Sequence, residues 1–510
     1  MVTTGYARLP RARHVAPSLP GRLAGGLAIA GIAIILFAVA IETVLPTTAV
    51  IWSSLALAVY CTGLLCITAA ATGRDGLGIA SWKIGQWSLA WCAITSGLAT
   101  LTWRQPQHGI ASQIAITSIL RALWLVALAM TAWALGYCGG SRRLAVQQVA
   151  RLTTALARRY DNEVRSAAVP WILLGTGIAA RLVSTAATGR FGYAGDPESA
   201  VTSASGYGQI LGIFSLGVPL AVAVAALRAF SPVTRGSRLT VVVMLAADIA
   251  IGAVAGGKQS FVVAVLAVAI PYAGARRRIP KGLMAAAVII FLVVVIPFNH
   301  GYRNIARHGS TSIPAGQAIA AAPVVLQQVI RQDGSLSMLP KSLDYLAERI
   351  REIDAPAIIM QRTPSQVRFV SPLQYAIAPI ADLIPRVVWP GKPISAAGYH
   401  FSQQYYGLPT DAYTSSAITP AGDLYRHGGW IPVIAGMFLL GCVIRVLDNV
   451  LDIRASAHAA LLVFLLFPDL VKAEDDWATL MIGIPVVIVT WLAVVAVTFS
   501  RCDRAISRRA

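Results

Sequence analysis

The sequence predicts an all-α fold: a polytopic integral membrane protein of about 12 transmembrane helices, with a large extracytoplasmic loop between the ninth and the tenth. Three observations predict it: the composition, the length of the apolar runs, and the side on which the charges fall. Of 510 residues, 56% are hydrophobic and only 13% charged, with a mean hydropathy of +0.66. A water-soluble chain carries about a quarter charged residues, so most of this surface faces a lipid bilayer. A net charge of +20 could serve nucleic acid, but the apolar background and the position of the basic residues exclude that partner.

A helix needs about 20 apolar residues to cross a hydrocarbon core of about 30 Å. Such runs cover 23–44, 49–71, 84–103, 113–138, 167–188, 207–229, 239–256, 260–275, 282–298, 429–447, 456–471 and 478–499. Backbone groups in lipid must bond within their own segment, so these runs are helices; none alternates with the two-residue period of a membrane barrel. The first run follows Arg8, Arg11, Arg13 and Arg22 and passes Ala38-Val39-Ala40, a pattern resembling a signal peptide and its cleavage site. It is longer than a signal core and reads as an uncleaved span. The seventh and eighth runs are parted only by Gly256-Gly257-Lys258-Gln259, either a tight turn between short spans or a broken helix pair lining a cavity.

Charge sets the orientation. With residues 1–22 as a cytoplasmic tail, the cytoplasmic segments hold Arg142, Arg143, Arg151, Arg158, Arg159 and Arg165, then Arg228, Arg235 and Arg238. They also hold Arg276, Arg277, Arg278, Lys281 and the tail 500–510 with Arg501, Arg504, Arg508 and Arg509. The short loops on the other side are nearly bare of basic residues, which is the positive-inside pattern of a multi-pass inner-membrane protein with both termini cytoplasmic. Spans one to nine then occupy 23–298, the extracytoplasmic segment 299–428, and spans ten to twelve 429–499.

Segment 299–428 carries 11 basic and 8 acidic residues among many prolines, and a structureless loop of that length is uncommon, so it reads as a folded cap. Within it, Leu343, Leu346, Ile350, Ile353, Ala357 and Met360 recur at three- and four-residue steps, with Asp344, Glu348, Arg351 and Glu352 opposite. That is the pattern of one amphipathic helix lying on the membrane or on the cap. Stretches 313–330 and 373–389 are apolar enough to dip into the bilayer. Cys61, Cys66, Cys92 and Cys442 fall inside apolar runs and Cys138 and Cys502 beside basic segments, with no metal-ligand spacing and no disulfide framework. The chain lacks a phosphate-binding Gly-x-x-x-x-Gly-Lys-Ser/Thr loop, which removes the usual engine of ATP-driven transport.

The densest chemistry lies in 382–430: Asp382, Pro385-Arg386, Trp389-Pro390, Lys392-Pro393, then His400, Phe401 and Tyr405, and finally Asp423, Tyr425-Arg426-His427 and Trp430. A fork-shaped Arg386 and a point-charge Lys392 suit a diphosphate. An interfacial belt, with Trp389 and Trp430 at headgroup depth, accounts for the same residues equally well. Pro385-Arg386-x-x-Trp389-Pro390-x-Lys392-Pro393, Phe401 and Tyr405, and the acidic residue before the next span resemble bacterial oligosaccharide repeat-unit polymerases of the O-antigen type. Gly256-Gly257-Lys258-Gln259-Ser260 and Tyr302-Arg303 extend the resemblance, Lys258 standing where that family tends to show Arg.

The resemblance implies a GT-C-like membrane glycosyltransferase without metal or other cofactor. Its donor and acceptor would be polyprenyl-diphosphate-linked oligosaccharides handled on the outer face, with a flippase and a chain-length regulator as companion proteins. Lys258, Arg303, Arg307, Arg386 and Lys392 are then the expected diphosphate-binding cations, because preplaced charge stabilises a departing diphosphate more than the ground state. The acceptor hydroxyl benefits from a base, for which Asp423, His427 and His400 are the candidates; each also has a structural reading, as helix-end charge, headgroup contact or cap surface. Arg121, Arg181 and Asp248 are charges inside predicted spans; Arg181, in the outer half of its helix, is read as a further contact to a lipid diphosphate, or else the group is a structural Arg–Asp pair or snorkels.

Two other readings stay open at this stage. An O-antigen ligase-like transferase uses the same lipid-linked donor and is not separated by sequence. A polysaccharide flippase or other transporter would show short loops on both sides and two related halves, neither of which this sequence has. A membrane scaffold or receptor without chemistry is a third class.

Overall fold

The computed structural model describes residues 21–42, 44–72, 78–103, 109–139, 151, 155, 159–195, 207–231, 236–308, 311–331, 339–371, 384, 388–389, 397–410, 415–472 and 474–501. They are overwhelmingly helical, and eight helices are long and apolar enough to cross a membrane. These comprise α2 (Pro46–Thr72), α4 (Ile116–Gly139), α5 (Val169–Thr188), the pair α6–α7 (Gly208–Ser215 and Gly217–Phe230), and α9 (Lys258–Arg276). The kinked α10–α11 (Lys281–Ile290 and Ile296–Ala306), α17 (Trp430–Val450) and α19 (Trp477–Thr498) complete the set. The fold is that of an all-α membrane protein.

The remaining apolar runs are also helical. They are α1 (Gly21–Ile41) and the shorter α3 (Ile84–Cys92), α8 (Arg238–Val254) and α18 (Ala457–Lys472). Helix α3 does not continue smoothly: a π turn over Ala93–Gly97 and a 3-10 turn over Leu98–Thr102 carry the chain to Trp103. Gly97 accounts for the close approach here, since a Cβ would come within 2.8 Å of Ala58 on α2.

The described polar contacts gather at two ends of the bundle. At one end, Asp448 near the close of α17 accepts from Ile84 N–H (2.8 Å), Gly85 N–H (2.9 Å) and Tyr137 O–H (2.8 Å), while Lys83 donates to the Asp448 and Leu451 carbonyls. A carboxylate satisfies the unpaired N–H groups that open a helix and favours their dipole. The same end holds an antiparallel pair that helical periodicity does not foretell: β1 (Tyr160–Val164) and β4 (Phe499–Arg501) join the segment before α5 to the segment after α19. Asn162 accepts from Ala457 N–H at 3.0 Å, tying in the start of α18. Arg159, Arg165, Arg276, Arg277, Arg278, Lys281, Arg454 and Arg501 all belong to this end.

The opposite end carries segment 299–428, whose described parts hold β2 (Arg307–His308) with β3 (Thr311–Ser312), α12 (Ala315–Arg331), α13 (Leu339–Ile350), α14 (Asp354–Arg362), α15 (Ala397–Tyr406) and α16 (Pro420–Arg426). The expected single amphipathic helix over 343–360 is corrected here: the chain breaks at 351–353. Pro356 is the reason, because inside a continuous helix its ring would clash with the carbonyl of Glu352, whereas in the first turn of a new helix it is tolerated. Only the first half, α13, keeps an exposed face; in the second half Ile353, Ala357, Ile358 and Ile359 are fully buried, and α14 packs among α4 and α16. Stretch 313–330 forms α12 against α11, and most of 373–389 lies outside the described residues.

Candidate functional site

The site is built around the turn between α8 and α9. Gly256 has φ +69, and a Cβ there would meet the Tyr302 ring at 3.2 Å, so a residue without a side chain is required on both counts. The turn leaves the Gly256 carbonyl without a helical partner, and α11 satisfies it: Asn299 Nδ2 donates at 2.6 Å and Arg303 donates through Nε and Nη2, both at 3.2 Å. Tyr302 O–H donates to the Val254 carbonyl at 2.6 Å, and Tyr193 N–H to that of Ala255 at 3.0 Å. Three sequence features spread between positions 193 and 303, Tyr193, Gly256-Gly257-Lys258 and Tyr302-Arg303, thus meet at one point.

Two tyrosine rings dress the cations. The Arg303 guanidinium lies 3.7 Å from the Tyr193 ring centroid, and Lys258 Nζ lies 5.3 Å from that of Tyr345 on α13. One turn along α13, Arg349 is within electrostatic reach of both Lys258 and Arg303. Lys258 and Arg303 are half-buried and Arg349 is exposed. Glu474, paired with Lys472 at 2.8 Å, is the acidic group acting on Lys258. Three cations drawn together against like-charge repulsion, two of them half out of water, form a surface that favours an anion. Arg349 and the two tyrosines are absent from the candidates read by motif; the signal for Arg349 was its place on an amphipathic helix, which says nothing of what that helix faces.

The Asp423 group is different in kind. Thr419 caps α16 by accepting from Gly422 N–H at 3.3 Å, and Asp423 in its first turn is completely buried. Its Oδ1 takes Arg426 Nε at 2.7 Å and lies 3.5 Å from His427 Nε2; its Oδ2 takes the N–H of Trp477, the first residue of α19, at 3.0 Å. Burial works against ionisation, but the His427 hydrogen bond and the Arg426 charge outweigh it and hold the carboxyl below its ordinary value. A carboxylate so held is a poor proton acceptor, and no hydroxyl reaches it without displacing a partner. The geometry is that of a strut joining α16 to α19 rather than of a base. His427 is buried beside it, and His400 is exposed on α15 with its ring 5.5 Å from that of Tyr399.

Glu352 occupies a place that motif reading passed over. It stands between α13 and α14, one oxygen accepting from Trp91 Nε1 at 3.0 Å, and its own N–H faces the Thr95 carbonyl at 3.4 Å. That carbonyl belongs to the π turn after α3, where the helical ladder leaves groups to be satisfied from outside; such turns recur at functional sites. Beside Glu352 lies a cavity of about 60 Å³ between Trp91, Trp133, Thr419, Met437 and Leu470, in which Glu352 is the one charged side chain. Burial first, then the nearby Glu474 carboxylate and the Cys92 thiol, push its carboxyl well above the ordinary value against the opposing hydrogen bonds from Trp91 and Thr95.

Of the charges inside predicted spans, Arg121 is exposed five residues into α4, near enough to the helix end to snorkel. Arg181 on α5 and Asp248 on α8 come within electrostatic reach of one another; Asp248 is buried and its Oδ2 has no hydrogen-bond partner among the described residues. Arg307 stands in β2, four residues after Arg303 in the chain. Arg386 and Lys392 lie outside the described residues.

Fold and site together define an all-α membrane protein with a cation cluster at one end of its bundle. A family described as a domain of unknown function (DUF8712) matches residues 199–452, a stretch that contains Lys258, Arg303, Arg349, Glu352 and Asp423. No curated protein and no solved structure matches the chain.

Proposed function

We propose that this chain is a membrane glycosyltransferase that polymerises polyprenyl-diphosphate-linked oligosaccharide units into a surface polysaccharide at the outer face of the cytoplasmic membrane. The observation that carries this reading is the convergence of Lys258, Arg303 and Arg349 beside Tyr193 and Tyr345, at the bundle end away from the arginine-rich one. Basic loop residues stay cytoplasmic, so the cluster faces outward, next to the outer leaflet.

The chemistry follows from the charges. As the bond between the anomeric carbon and the phosphate oxygen breaks, negative charge grows on the diphosphate. Cations already in place meet it without reorganisation, so they help the transition state more than the bound donor. Arg303 offers a planar fork held by the Gly256 carbonyl and the Tyr193 ring, while Lys258 offers a compact charge at the opening of α9. Tyrosine rings beside cations also give sugar faces an apolar surface.

Deleting the gene is expected to leave single lipid-linked units in place of long chains, read on a glycan gel. Restoring the chain with both Lys258→Ala and Arg303→Ala should insert normally and yield no polymer. Full-length polymer from that double variant would remove the proposed diphosphate site. Complete loss of lipid-linked units from the outer leaflet in the deletion would instead indicate a flippase.

A further inference from the structure

We propose that Glu352 takes the proton from the acceptor sugar's hydroxyl as that oxygen attacks the donor. The inference rests on the glycosyltransferase reading above and assigns its missing base.

Four observations carry it. Glu352 neighbours the cation cluster: Glu474 acts electrostatically on both Glu352 and Lys258, and Arg349 precedes Glu352 by three residues. Its carboxylate is oriented rather than neutralised. Trp91 holds one oxygen, while the adjacent Arg351 is committed to Asp354 through Nε at 2.9 Å and 3.1 Å and Nη2 at 2.9 Å, and stacks over Trp103 at 4.8 Å. A cavity of about 60 Å³ adjoins it, in which Ser88, Ser96 and Thr419 are the other polar side chains. Finally, three acidic groups near it are already paired: Asp423 with Arg426 and Trp477, Asp354 with Arg351, and Glu474 with Lys472.

The step balances as a displacement. The acceptor oxygen forms a bond to the donor's anomeric carbon, and the bond from that carbon to the phosphate oxygen breaks. The electron pair leaves with polyprenyl diphosphate toward Lys258, Arg303 and Arg349, and the hydroxyl proton passes to Glu352, which gives it up to solvent before the next turnover. The groups that set the titration of Glu352 are Trp91, Thr95 and Cys92 from α3 and its π turn, and Glu474 from the connection between α18 and α19. Burial and the Glu474 charge raise the carboxyl above its ordinary range, which makes it a stronger proton acceptor than an ordinary carboxylate.

The test uses the full chain in lipid nanodiscs with purified lipid-linked repeat units. Glu352→Gln keeps an oxygen for Trp91 and loses the proton acceptor, so chain growth should fall about 10²–10⁴-fold while donor binding stays unchanged. Glu352→Asp should retain partial activity with its acidic limb displaced along the pH axis. In the wild type, activity should climb with pH through the titration of Glu352, and Glu352→Gln should abolish that limb in the residual rate. A Glu352→Gln protein polymerising within threefold of wild type, with the same pH limb, would overturn the assignment and leave the polymerase reading standing. A wild-type protein that inserts, binds lipid-linked units and never extends them would overturn both. If Glu352→Gln does not fold, Trp91→Phe releases the carboxylate without removing it: a shifted acidic limb supports the assignment, and an unmoved limb counts against it.

Discussion

Two polar groups sit at the same end of the bundle and handle charge in opposite ways. Around Asp423, the carboxylate, Arg426, His427 and the Trp477 N–H close on one another out of reach of water. Around Gly256, Lys258 and Arg303 each lie over a tyrosine ring, Arg303 also holds a backbone carbonyl, and Arg349 adds a third positive charge, with Glu474 as the acidic neighbour and that already paired. The first arrangement is complete without a ligand. The second is left with surplus positive charge, which costs stability unless an anion arrives. Motif reading ranked the two alike, because residue type does not report whether a charge is already answered.

That contrast can be broken most forcefully at Asp423. Asp423→Ala leaves Arg426 without its partner in a buried place and should cost about 3–5 kcal/mol, seen as lost folded protein and a lower Tm in detergent. Asp423→Asn should weaken the strut less and lose activity only in proportion to folded protein. At the cation cluster the order reverses: Arg303→Ala should lower polymer formation by about 10²–10³-fold with Tm nearly unchanged, since removing a like charge relieves repulsion. Arg303→Lys should fall between, because the fork to the Gly256 carbonyl and the stack on Tyr193 both need a guanidinium. Smaller still is Tyr193→Ala, where a lost cation–π contact of about 0.5–2 kcal/mol should loosen Arg303 and weaken donor binding severalfold.

The least expected effect is on stability against pH, and here too the two carboxyls differ in sign. Asp423 is depressed in the fold, so its contribution is present above the unfolded value of about 3.9 and is lost as pH falls through the lower folded value. Glu352 is raised, so its contribution is present below about 4.3 and is lost as pH climbs through the higher folded value. Thermal unfolding of wild type should therefore weaken gently toward alkaline pH, and Glu352→Gln should flatten that slope. An identical slope in the variant would mean that Glu352 ionises as freely as in water.

Much of the fold is legible in the sequence. Every apolar run is helical in the structure, because a segment placed in lipid has no other way to bond its backbone. The Gly256-Gly257 break is legible for a related reason, as one position there must take a left-handed backbone under an aromatic ring. The amphipathic pattern over 343–360 was legible only by half. Periodicity shows that one face is apolar without showing whether lipid, cap or bundle covers it, and Pro356 divides the pattern into α13 and α14. The pairing of β1 with β4 joins residues more than three hundred positions apart over a few bonds, too short to leave a pattern.

Helical character, membrane residence and the excess of positive charge follow from sequence alone, since each depends on local composition and on the price of exposing a backbone to lipid. What the charges do was decided by tertiary structure. Arg303 meets Tyr193, Arg349 comes up beside Lys258, and Glu352 is lodged against Trp91, each through contacts between distant segments. Whether an ionised group is neutralised, stacked or left to wait for a ligand depends on its neighbours in space, and a linear pattern carries no record of them.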